Sequence, residues 1–272
     1  MKNIIFPIAS VRHLNIGFRN MTVHLCIPDA HAKPGTSNTR AEWLGKLIND
    51  IRPDVVIDLG DSADFESLSS YDKGKRSFVG RSYRADIDAY LDYQDRLWST
   101  VRQAKRRLPY RVRLIGNHEQ RIDRALDASP ELVNTISYAD LQDDKNYDQV
   151  VHYEGNTPGV IEIDGCSYSH YFTSGIMGRP ISGEHPGYSL VTKKLCSCTA
   201  GHAHVFDYCV RQGKDTKIMG LVAGCFIDYK TGWAGEVQKL WNSGVVIKRN
   251  VYKGQYDLEW VSLEALKKEY GQ

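Results

Sequence analysis

The sequence predicts an α/β fold in which two β-sheets pack face to face with helices on the outside. In the first half, short β-branched segments alternate with segments of helical periodicity, whereas the chain after residue 155 contains mainly short segments of strand character. An alternating half followed by a strand-rich half is typical of layered α/β architectures. The sequence contains no internal repeat, low-complexity tract or Gly/Ser-rich linker, so we interpret residues 1–272 as a single domain.

The first half contains three predicted strands and two predicted helices. The strands are residues 22–27, 54–59 and 112–115. Apolar residues recur at helical spacing over residues 44–51, and a longer apolar stripe of the same kind covers residues 87–101. Each strand ends directly before a polar motif. We therefore expect these motifs to meet at the carboxyl edge of the sheet.

The second half is predicted to consist mainly of strands. They are residues 159–163, 166–170, 195–200, 217–223, 245–248 and 256–261. Residues 263–270 have the pattern of a short closing helix.

The composition and the amino terminus indicate a soluble globular protein. Hydrophobic residues make up 42% and charged residues 25% of the chain, and the net charge of +2 does not by itself indicate nucleic-acid binding. No apolar run reaches the ~18 residues of a membrane span, and polar residues interrupt residues 1–20. We interpret these twenty residues as an N-terminal extension, in which residues 4–8 could add an edge strand although Pro7 withholds a hydrogen bond.

The six cysteines are expected to be reduced. Most of them lie in or beside apolar β-like runs, where free cysteine behaves as a small buried hydrophobic residue. Cys196 and Cys198 lack the spacing and the partner pair of a zinc site. We therefore predict a cytoplasmic protein with no membrane partner.

Five short segments carry side chains that bind metal ions. In chain order they are Asp29-Ala30-His31, Gly60-Asp61-Ser62-Ala63-Asp64, Gly116-Asn117-His118-Glu119, His170, and Gly201-His202-Ala203-His204. Their oxygen and imidazole groups suit hard or borderline divalent cations. Asp61 is the natural bridge, since one carboxylate can bind two ions ~3.5–4 Å apart. If the last segment is extended, His202 and His204 point to the same side and can reach one centre.

The order and spacing of these segments resemble the calcineurin-like metallophosphoesterase family, whose pattern reads D-x-H, G-D-x-x-D, G-N-H-[DE], H, G-H-x-H. The resemblance covers residues 29–204. A looser similarity, at residues 224–225 and 241–246, is to the ending of compact phage and prokaryotic members. The resemblance implies a four-layer αββα sandwich of two mixed β-sheets flanked by helices, with two divalent metal ions at the edge where the sheets meet.

The resemblance also implies which residues bind each metal. The first metal would be held by Asp29, His31, Asp61 and His204, and the second by Asp61, Asn117, His170 and His202. Mn²⁺ is the expected ion, with Fe, Zn, Ni or Mg as alternatives. His152 and His185 lie in the same interval as His170 and remain alternatives to it. We favour His170 because it ends a β-like run.

His118 is left over beside these ligands. The resemblance implies that it protonates the leaving oxygen or stabilises the transition state, while a metal-bridging hydroxide attacks phosphorus in line. Two nearby cations would lower its pKa by charge repulsion, and a carboxylate could restore the pKa and fix the tautomer. Asp64 is placed for that role. A helix N-cap is the other interpretation of Asp64.

Departures from the family pattern bear on the substrate. Protein serine/threonine phosphatases place an arginine where this chain has Phe65, so phosphoproteins are disfavoured. Arg121 could compensate, or could be a structural arginine paired with Glu119. Residues 65–86 could form a substrate-facing loop, whose basic side chains suit phosphates while its interleaved aromatic residues suit bases. The basic residues of interest are Lys75, Arg76, Arg81 and Arg84. A solvated surface loop is the alternative.

These observations predict a dinuclear metal-dependent phosphoesterase. We expect it to hydrolyse phosphodiesters or phosphomonoesters, with nucleotide or nucleic-acid substrates favoured. The alternatives are a phosphoprotein phosphatase and a non-catalytic binding scaffold. A scaffold would be expected to carry a degraded ligand set, and no position of the pattern is degraded here. The sequence defines neither the metal identities nor the oligomeric state.

Overall fold

The computed structural model describes residues 21–232 and 234–271, together with the backbone of residues 12–14. In this part of the chain the strands are β1 (Arg12–Leu14), β2 (Thr22–Ile27), β3 (Val55–Asp58), β4 (Tyr110–Leu114), β5 (Gln149–Val151), β6 (Ile161–Ile163), β7 (Cys166–Ser169), β8 (Thr173–Ser174), β9 (Arg179–Pro180), β10 (Cys198–Ala200), β11 (Phe206–Gln212), β12 (Lys217–Ala223), β13 (Gly244–Tyr252) and β14 (Gln255–Ser262).

The same residues form five α-helices and several short 3₁₀ turns. The α-helices are α1 (Thr39–Ile51), α2 (Tyr83–Gln103), α3 (Arg121–Ala128), α4 (Pro186–Lys194) and α5 (Leu263–Tyr270). The 3₁₀ turns are Glu66–Leu68, Ser70–Asp72, Arg76–Phe78, Pro130–Leu132, Tyr138–Leu141, Asp143–Lys145 and Gly235–Leu240.

Two mixed six-stranded sheets form the centre of the molecule. The first has the order β14-β13-β2-β3-β4-β5, with parallel pairing from β2 to β5 and antiparallel pairing at β13. The second has the order β1-β6-β7-β10-β12-β11, with antiparallel pairs at β6–β7 and β11–β12. Strands β8 and β9 form a separate hairpin.

The sheets and helices stack in four layers. Buried side chains such as Ile57 of the first sheet and Leu221 of the second pack together between the two sheets. Helices α1, α2 and α5 cover the outer face of the first sheet through residues such as Leu44, while α4 covers the second sheet through Leu190 and Val222. The predicted αββα sandwich of two mixed sheets is therefore confirmed.

Most predicted elements of the first half are found, and the largest differences lie in the second half. The strand predicted at residues 195–200 begins only at Cys198, because α4 extends to Lys194 and Leu195 ends it in a left-handed conformation with φ of 57°. Helix α4, which has Pro186 at its first position, was not predicted. Strand β11 was also missed. The closing helix at residues 263–270 is confirmed.

The predicted N-terminal extension contributes one described strand. Residues 12–14 pair in parallel with β6 at the edge of the second sheet. The edge strand suggested for residues 4–8 lies outside the described residues. Among the helices that the structure describes, none is long and apolar enough to cross a membrane.

The five ligand-bearing segments follow five strands. Those after β2, β3 and β4 leave the first sheet, and those after β7 and β10 leave the second. All five meet at one end of the sandwich, because the carboxyl ends of parallel strands lie at the same edge of a sheet.

Candidate metal centre

The first group of candidate ligands consists of Asp29, His31 and His204. Their ligand atoms all lie within 4.8 Å of one another. His204 Nε2 is 3.1 Å from Asp29 Oδ2 and 3.2 Å from His31 Nε2. All three side chains are buried. Two imidazole nitrogens and a carboxylate oxygen therefore face one small space.

The second group consists of Asp61, His170 and His202, with Asn117 beside them. The carboxylate and imidazole atoms of the first three again lie within 4.8 Å of one another. His170 Nε2 is 3.2 Å from Asp61 Oδ2 and 2.9 Å from Asn117 Oδ1. This arrangement supplies one carboxylate, one amide oxygen and two imidazoles.

Asp61 lies between the two groups. Its Oδ2 is 3.2 Å from His170 Nε2 in the second group and 3.9 Å from His31 Nε2 in the first. Its Oδ1 accepts a hydrogen bond from the backbone N–H of His118 at 2.8 Å. The carboxylate is thus held where one oxygen faces both groups, as a bridging ligand requires.

The surrounding contacts orient the imidazoles as metal ligands. The carbonyl oxygen of Leu59 accepts the Nδ1 proton of His170 at 2.9 Å, so Nε2 is the nitrogen that faces Asp61. His31 Nδ1 lies 3.2 Å from Asp64 Oδ1, so its Nε2 is free. Buried oxygen and imidazole donors in two adjoining groups fit two borderline divalent cations.

The pKa values of Asp61, His170 and His202 are shifted by burial and by the charged groups close to them. Burial opposes ionisation of Asp61, but the nearby His170 and His118 hold its pKa well below the usual range. Burial would lower the pKa of His170, yet Asp61, Asp29 and the carbonyl oxygen of Leu59 together outweigh burial and raise that pKa to about 9. Burial and the charge of His170 lower the pKa of His202 to about 4. Carboxylates that stay ionised suit cation binding.

The glycines of two motifs are required by close contact with the aspartates. A Cβ on Gly116 would lie 2.1 Å from Asp61 Oδ1, and a Cβ on Gly201 would lie 2.3 Å from Asp29 Oδ1. Any side chain at either position would displace a candidate ligand. These glycines therefore let the loops of neighbouring strands approach each other.

Several candidate ligands have a left-handed backbone. The φ angles are 46° at His31, 52° at Asp61, 67° at His202 and 59° at His204. Such values are uncommon for residues other than glycine and concentrate at functional sites. The expectation that His202 and His204 lie in an extended segment is therefore wrong. They occupy a turn after β10, which directs one imidazole to each group.

Contacts across the site stabilise this turn. The backbone N–H of His202 donates to both carboxylate oxygens of Asp29, at 2.9 and 3.0 Å. Asn242 donates its backbone N–H to the carbonyl oxygen of His204 at 3.0 Å. The His204 ring also makes an edge contact with Trp241 at 4.2 Å. The first sheet and the segment before β13 thus position the ligands of the second sheet.

His118 contacts Asp64 as predicted. Its Nδ1 lies 2.6 Å from the carbonyl oxygen and 3.0 Å from the carboxylate Oδ1 of Asp64. His118 Nε2 is 3.9 Å from Asp61 Oδ2. Burial would lower the pKa of His118, but the carboxylates of Asp61 and Asp64 raise it. The N-cap interpretation of Asp64 is wrong, since the following 3₁₀ turn begins after Phe65 without a side-chain cap.

Arg121 lies beside His118 and does not pair with Glu119. Its guanidinium donates to the carbonyl oxygens of Asp64 at 2.8 Å and Phe65 at 3.1 Å, and lies 3.2 Å from His118 Nε2. Glu119 is bound by Arg113 instead, at 2.9 Å. The suggested Arg121–Glu119 pair is therefore wrong. The side chain of Phe65 is fully buried in an apolar cluster and does not face the site.

The basic loop residues occupy different environments. Lys75 and Arg81 both pair with Asp72, at 3.4 and 2.8 Å. Arg84 pairs with Asp88 on the surface of α2 at 2.9 Å. Arg76 is exposed. Whether any of these four residues contacts a substrate stays a prediction.

Two cavities flank the metal ligands. One, of about 620 Å³, is lined by Asp64, His118, Arg121, Asp72, Lys75 and Arg81 among others. The other, of about 390 Å³, lies on the side of Asn117 and His202. Arg121 and Tyr71 line both.

The alternatives to His170 lie away from the ligand groups. The ring of His152 makes an edge contact with Tyr138 at 5.1 Å. His185 is exposed directly before α4. Sequence reasoning did not identify the buried ion pairs that Arg113 forms with Glu119 and with Asp58 of β3.

Comparisons with known proteins give a limited result. No protein-family model matches the sequence, and no curated protein is similar to it. Among solved structures, the fold is similar to a conserved uncharacterized protein, described as a predicted phosphoesterase, from Streptococcus pneumoniae TIGR4. The identity is 10%, the TM-score is 0.37, and the match covers 91% of this chain and 92% of that chain. The functional interpretation therefore depends on the site itself.

Proposed function

We propose that this chain is a metal-dependent phosphoesterase with a dinuclear centre, of the calcineurin-like type. The observation that supports the proposal is the position of Asp61, whose Oδ2 faces His31 on one side and His170 on the other. Two divalent cations bound there would supply Lewis-acid activation of water and of the phosphoryl oxygens. The candidate ligands lie in segments that directly follow strands of both sheets.

We assign the metal ligands from the sequence motifs and from the two groups of neighbouring side chains. One cation would be held by Asp29, His31, Asp61 and His204, and the other by Asp61, Asn117, His170 and His202. Manganese is our first choice, because mixed carboxylate, amide and imidazole donors accept borderline divalent ions. Iron, zinc, nickel and magnesium are the alternatives to test.

We assign proton transfer to His118. Asp64 binds Nδ1 and fixes the tautomer, so that Nε2 faces the space beside Asp61. In this position His118 would donate the Nε2 proton to the oxygen of the leaving group as the phosphorus–oxygen bond breaks. Arg121 holds the loop of Asp64 by donating to the carbonyl oxygens of Asp64 and Phe65, and this loop in turn orients His118.

We propose nucleotides or nucleic acids as substrates and the cytoplasm as the location. The cationic residues at the cavities suit phosphodiesters, with phosphomonoesters as the second class of ester. Phosphoproteins are disfavoured, because Phe65, a buried apolar side chain that cannot bind an anion, stands at the sequence position where protein serine/threonine phosphatases have an arginine. A non-catalytic scaffold would have no need for the strained backbone at four candidate ligands.

A substrate panel tests the proposal. The purified chain is freed of metal with a chelator and then supplied with Mn²⁺, Fe²⁺, Ni²⁺, Zn²⁺ or Mg²⁺. The substrates are bis-p-nitrophenyl phosphate, p-nitrophenyl phosphate, cyclic nucleotides, DNA, RNA and a phosphopeptide. We expect metal-restored hydrolysis of diesters, and no hydrolysis by the chelated protein. Absence of hydrolysis with every metal, despite two bound ions per chain, would show a binding scaffold.

A further inference from the structure

The cavity beside Asn117 and His202 is lined in part by cationic and aromatic side chains. It lies between the segment at residues 67–73 and helix α3, and its volume is about 390 Å³. Its lining includes the side chains of Tyr71, Lys73, Arg121, Arg124, Leu132 and Tyr171. A volume of this order accommodates a group the size of a nucleotide.

The charge of this cavity is entirely positive. Lys73, Arg121 and Arg124 contribute to its wall. None of the described residues that line it is an aspartate or a glutamate. The cavity beside His118 differs, since Asp64, Glu66 and Asp72 line it together with its basic residues. An anionic group is therefore attracted more strongly to the Asn117 side.

Lys73 and Arg124 are available to bind an incoming anion. Neither forms an ion pair within the described ranges, 21–232 and 234–271, whereas Lys75 and Arg81 are both paired with Asp72. Charges already paired gain less from a phosphate, because the existing pair must be broken first. Lys73 belongs to the basic run recognised in the sequence, whereas Arg124 was not identified from the sequence.

Aromatic side chains complete the lining. Tyr171 packs against His202, with ring centroids 4.8 Å apart, so its ring lies next to a candidate ligand. Tyr71 is 79% exposed and lines the same cavity. Stacking on tyrosine is favourable for any nucleobase, whatever its sequence. The cations around this cavity thus suit the phosphate of a nucleotide, and the tyrosine rings suit its base.

We propose that this cavity binds a non-reacting nucleotide of the substrate, with Lys73 and Arg124 as specificity-determining residues that bind its phosphate. The proposal depends on the proposed phosphoesterase function, which places the reacting phosphate at Asp61. Arg121 lines this cavity and also contacts His118. The enzyme then selects phosphodiesters that carry a second phosphate next to the scissile bond.

Binding to the chelated protein tests the subsite without catalysis. Adenosine 5′-monophosphate and adenosine are titrated by calorimetry into the wild-type chain and into the double variant Lys73→Gln/Arg124→Gln. We expect the monophosphate to bind at least about tenfold more tightly than adenosine to the wild type, as one or two charge-assisted hydrogen bonds provide. The double variant should lose this preference.

A matched control separates the local effect of Lys73 and Arg124 from the effect of the protein's net charge. The variant Lys267→Gln/Lys268→Gln removes the same two charges from the exposed surface of α5, and should retain the preference for the monophosphate. Equal binding of both ligands by the wild type would overturn the subsite. A preference that persists in the Lys73/Arg124 variant, or disappears equally in the control, would also overturn it.

Hydrolysis measures the consequence for substrate choice. The metal-loaded protein is given a dinucleotide with a phosphate at either free end, the same dinucleotide without it, and bis-p-nitrophenyl phosphate. We expect the ratio of kcat/KM between the phosphorylated and unphosphorylated dinucleotides to fall about tenfold in the Lys73/Arg124 variant. An unchanged ratio contradicts the subsite. Phosphate-dependent binding without hydrolysis of any ester would instead retain the subsite and reject the proposed function.

Discussion

Glu119 accepts a hydrogen bond from the backbone N–H of Asp61, at 3.0 Å from its Oε2. The same carboxylate accepts from the N–H groups of Ala63 and Gly116, both at 3.0 Å. Glu119 is fully buried and its charge is balanced by Arg113. The loops after β3 and β4 are therefore held together by one carboxylate, which maintains the left-handed backbone of Asp61.

We predict that Glu119→Ala destabilises the protein by about 3–5 kcal/mol, because it removes one carboxylate partner of the buried Arg113 and leaves three backbone N–H groups without an acceptor. Urea unfolding of the metal-free protein measures the change. Isothermal titration should show weaker metal binding as well. The control is Asp88→Ala, which breaks the exposed pair with Arg84 and should cost under about 1 kcal/mol. Similar costs for both variants would contradict this role for Glu119.

We predict that Asp61→Asn abolishes metal-dependent hydrolysis while the fold is retained. An amide removes the negative charge that lies between the two ligand groups and offers only one oxygen to them. Metal analysis should show less than two bound ions per chain, and circular dichroism should match that of the wild type. Two bound ions together with more than about a tenth of wild-type turnover would show that Asp61 is not the bridge.

The sequence predicted the layered fold and the meeting of the motifs well, for a physical reason. Strand-ending motifs such as Asp61 and Asn117 follow from local periodicity, and the geometry of parallel strands then brings them to one edge. The turn at His202 could not be predicted in this way, because its backbone is held by Asp29, far away in the chain. The availability of Lys73 likewise depends on the fold, because Asp72 pairs with Lys75 and Arg81 instead.

We predict that His118→Ala lowers kcat by ~10²–10⁴, the usual contribution of a positioned acid. Two metal ions should still bind, since His118 Nε2 is 3.9 Å from Asp61 and its Nδ1 is occupied by Asp64. The loss should be larger for an alkyl ester than for a p-nitrophenyl ester, whose leaving group needs little protonation. Loss of one metal ion in this variant would identify His118 as a ligand.

We predict that the four basic loop residues contribute unequally to the KM for a nucleic-acid substrate. Lys75 and Arg81 line the cavity beside His118, whereas Arg76 and Arg84 do not line either of the two cavities described. Lys75→Ser/Arg81→Ser should therefore raise KM and reduce its salt dependence more than Arg76→Ser/Arg84→Ser does. Steady-state kinetics over a range of salt concentrations make the comparison. Equal effects of the two variants would identify the loop as a solvated surface.

The last prediction concerns pH-dependent stability, which depends on a polar cluster between the sheets. His24 is fully buried, with Nδ1 2.7 Å from the Tyr168 hydroxyl and Nε2 3.1 Å from Asp164 Oδ2. Burial lowers the pKa of His24 below its usual 6.5, and nearby Lys248 adds to this effect, while Asp164 opposes it. The unfolded chain therefore binds more protons at this position than the folded chain does below pH 6.5.

Stability contributed by neutral His24 should accordingly be present above pH 6.5 and be lost as the pH falls towards the folded-state pKa. We expect the difference in unfolding free energy between the wild type and His24→Gln to be constant at higher pH. Below pH 6.5 it should change in favour of the variant by at most about 1.4 kcal/mol per pH unit. Urea unfolding of both chains across this range measures it, and groups that titrate identically in both cancel. A difference independent of pH, or one that favours the wild type in acid, would contradict the predicted direction.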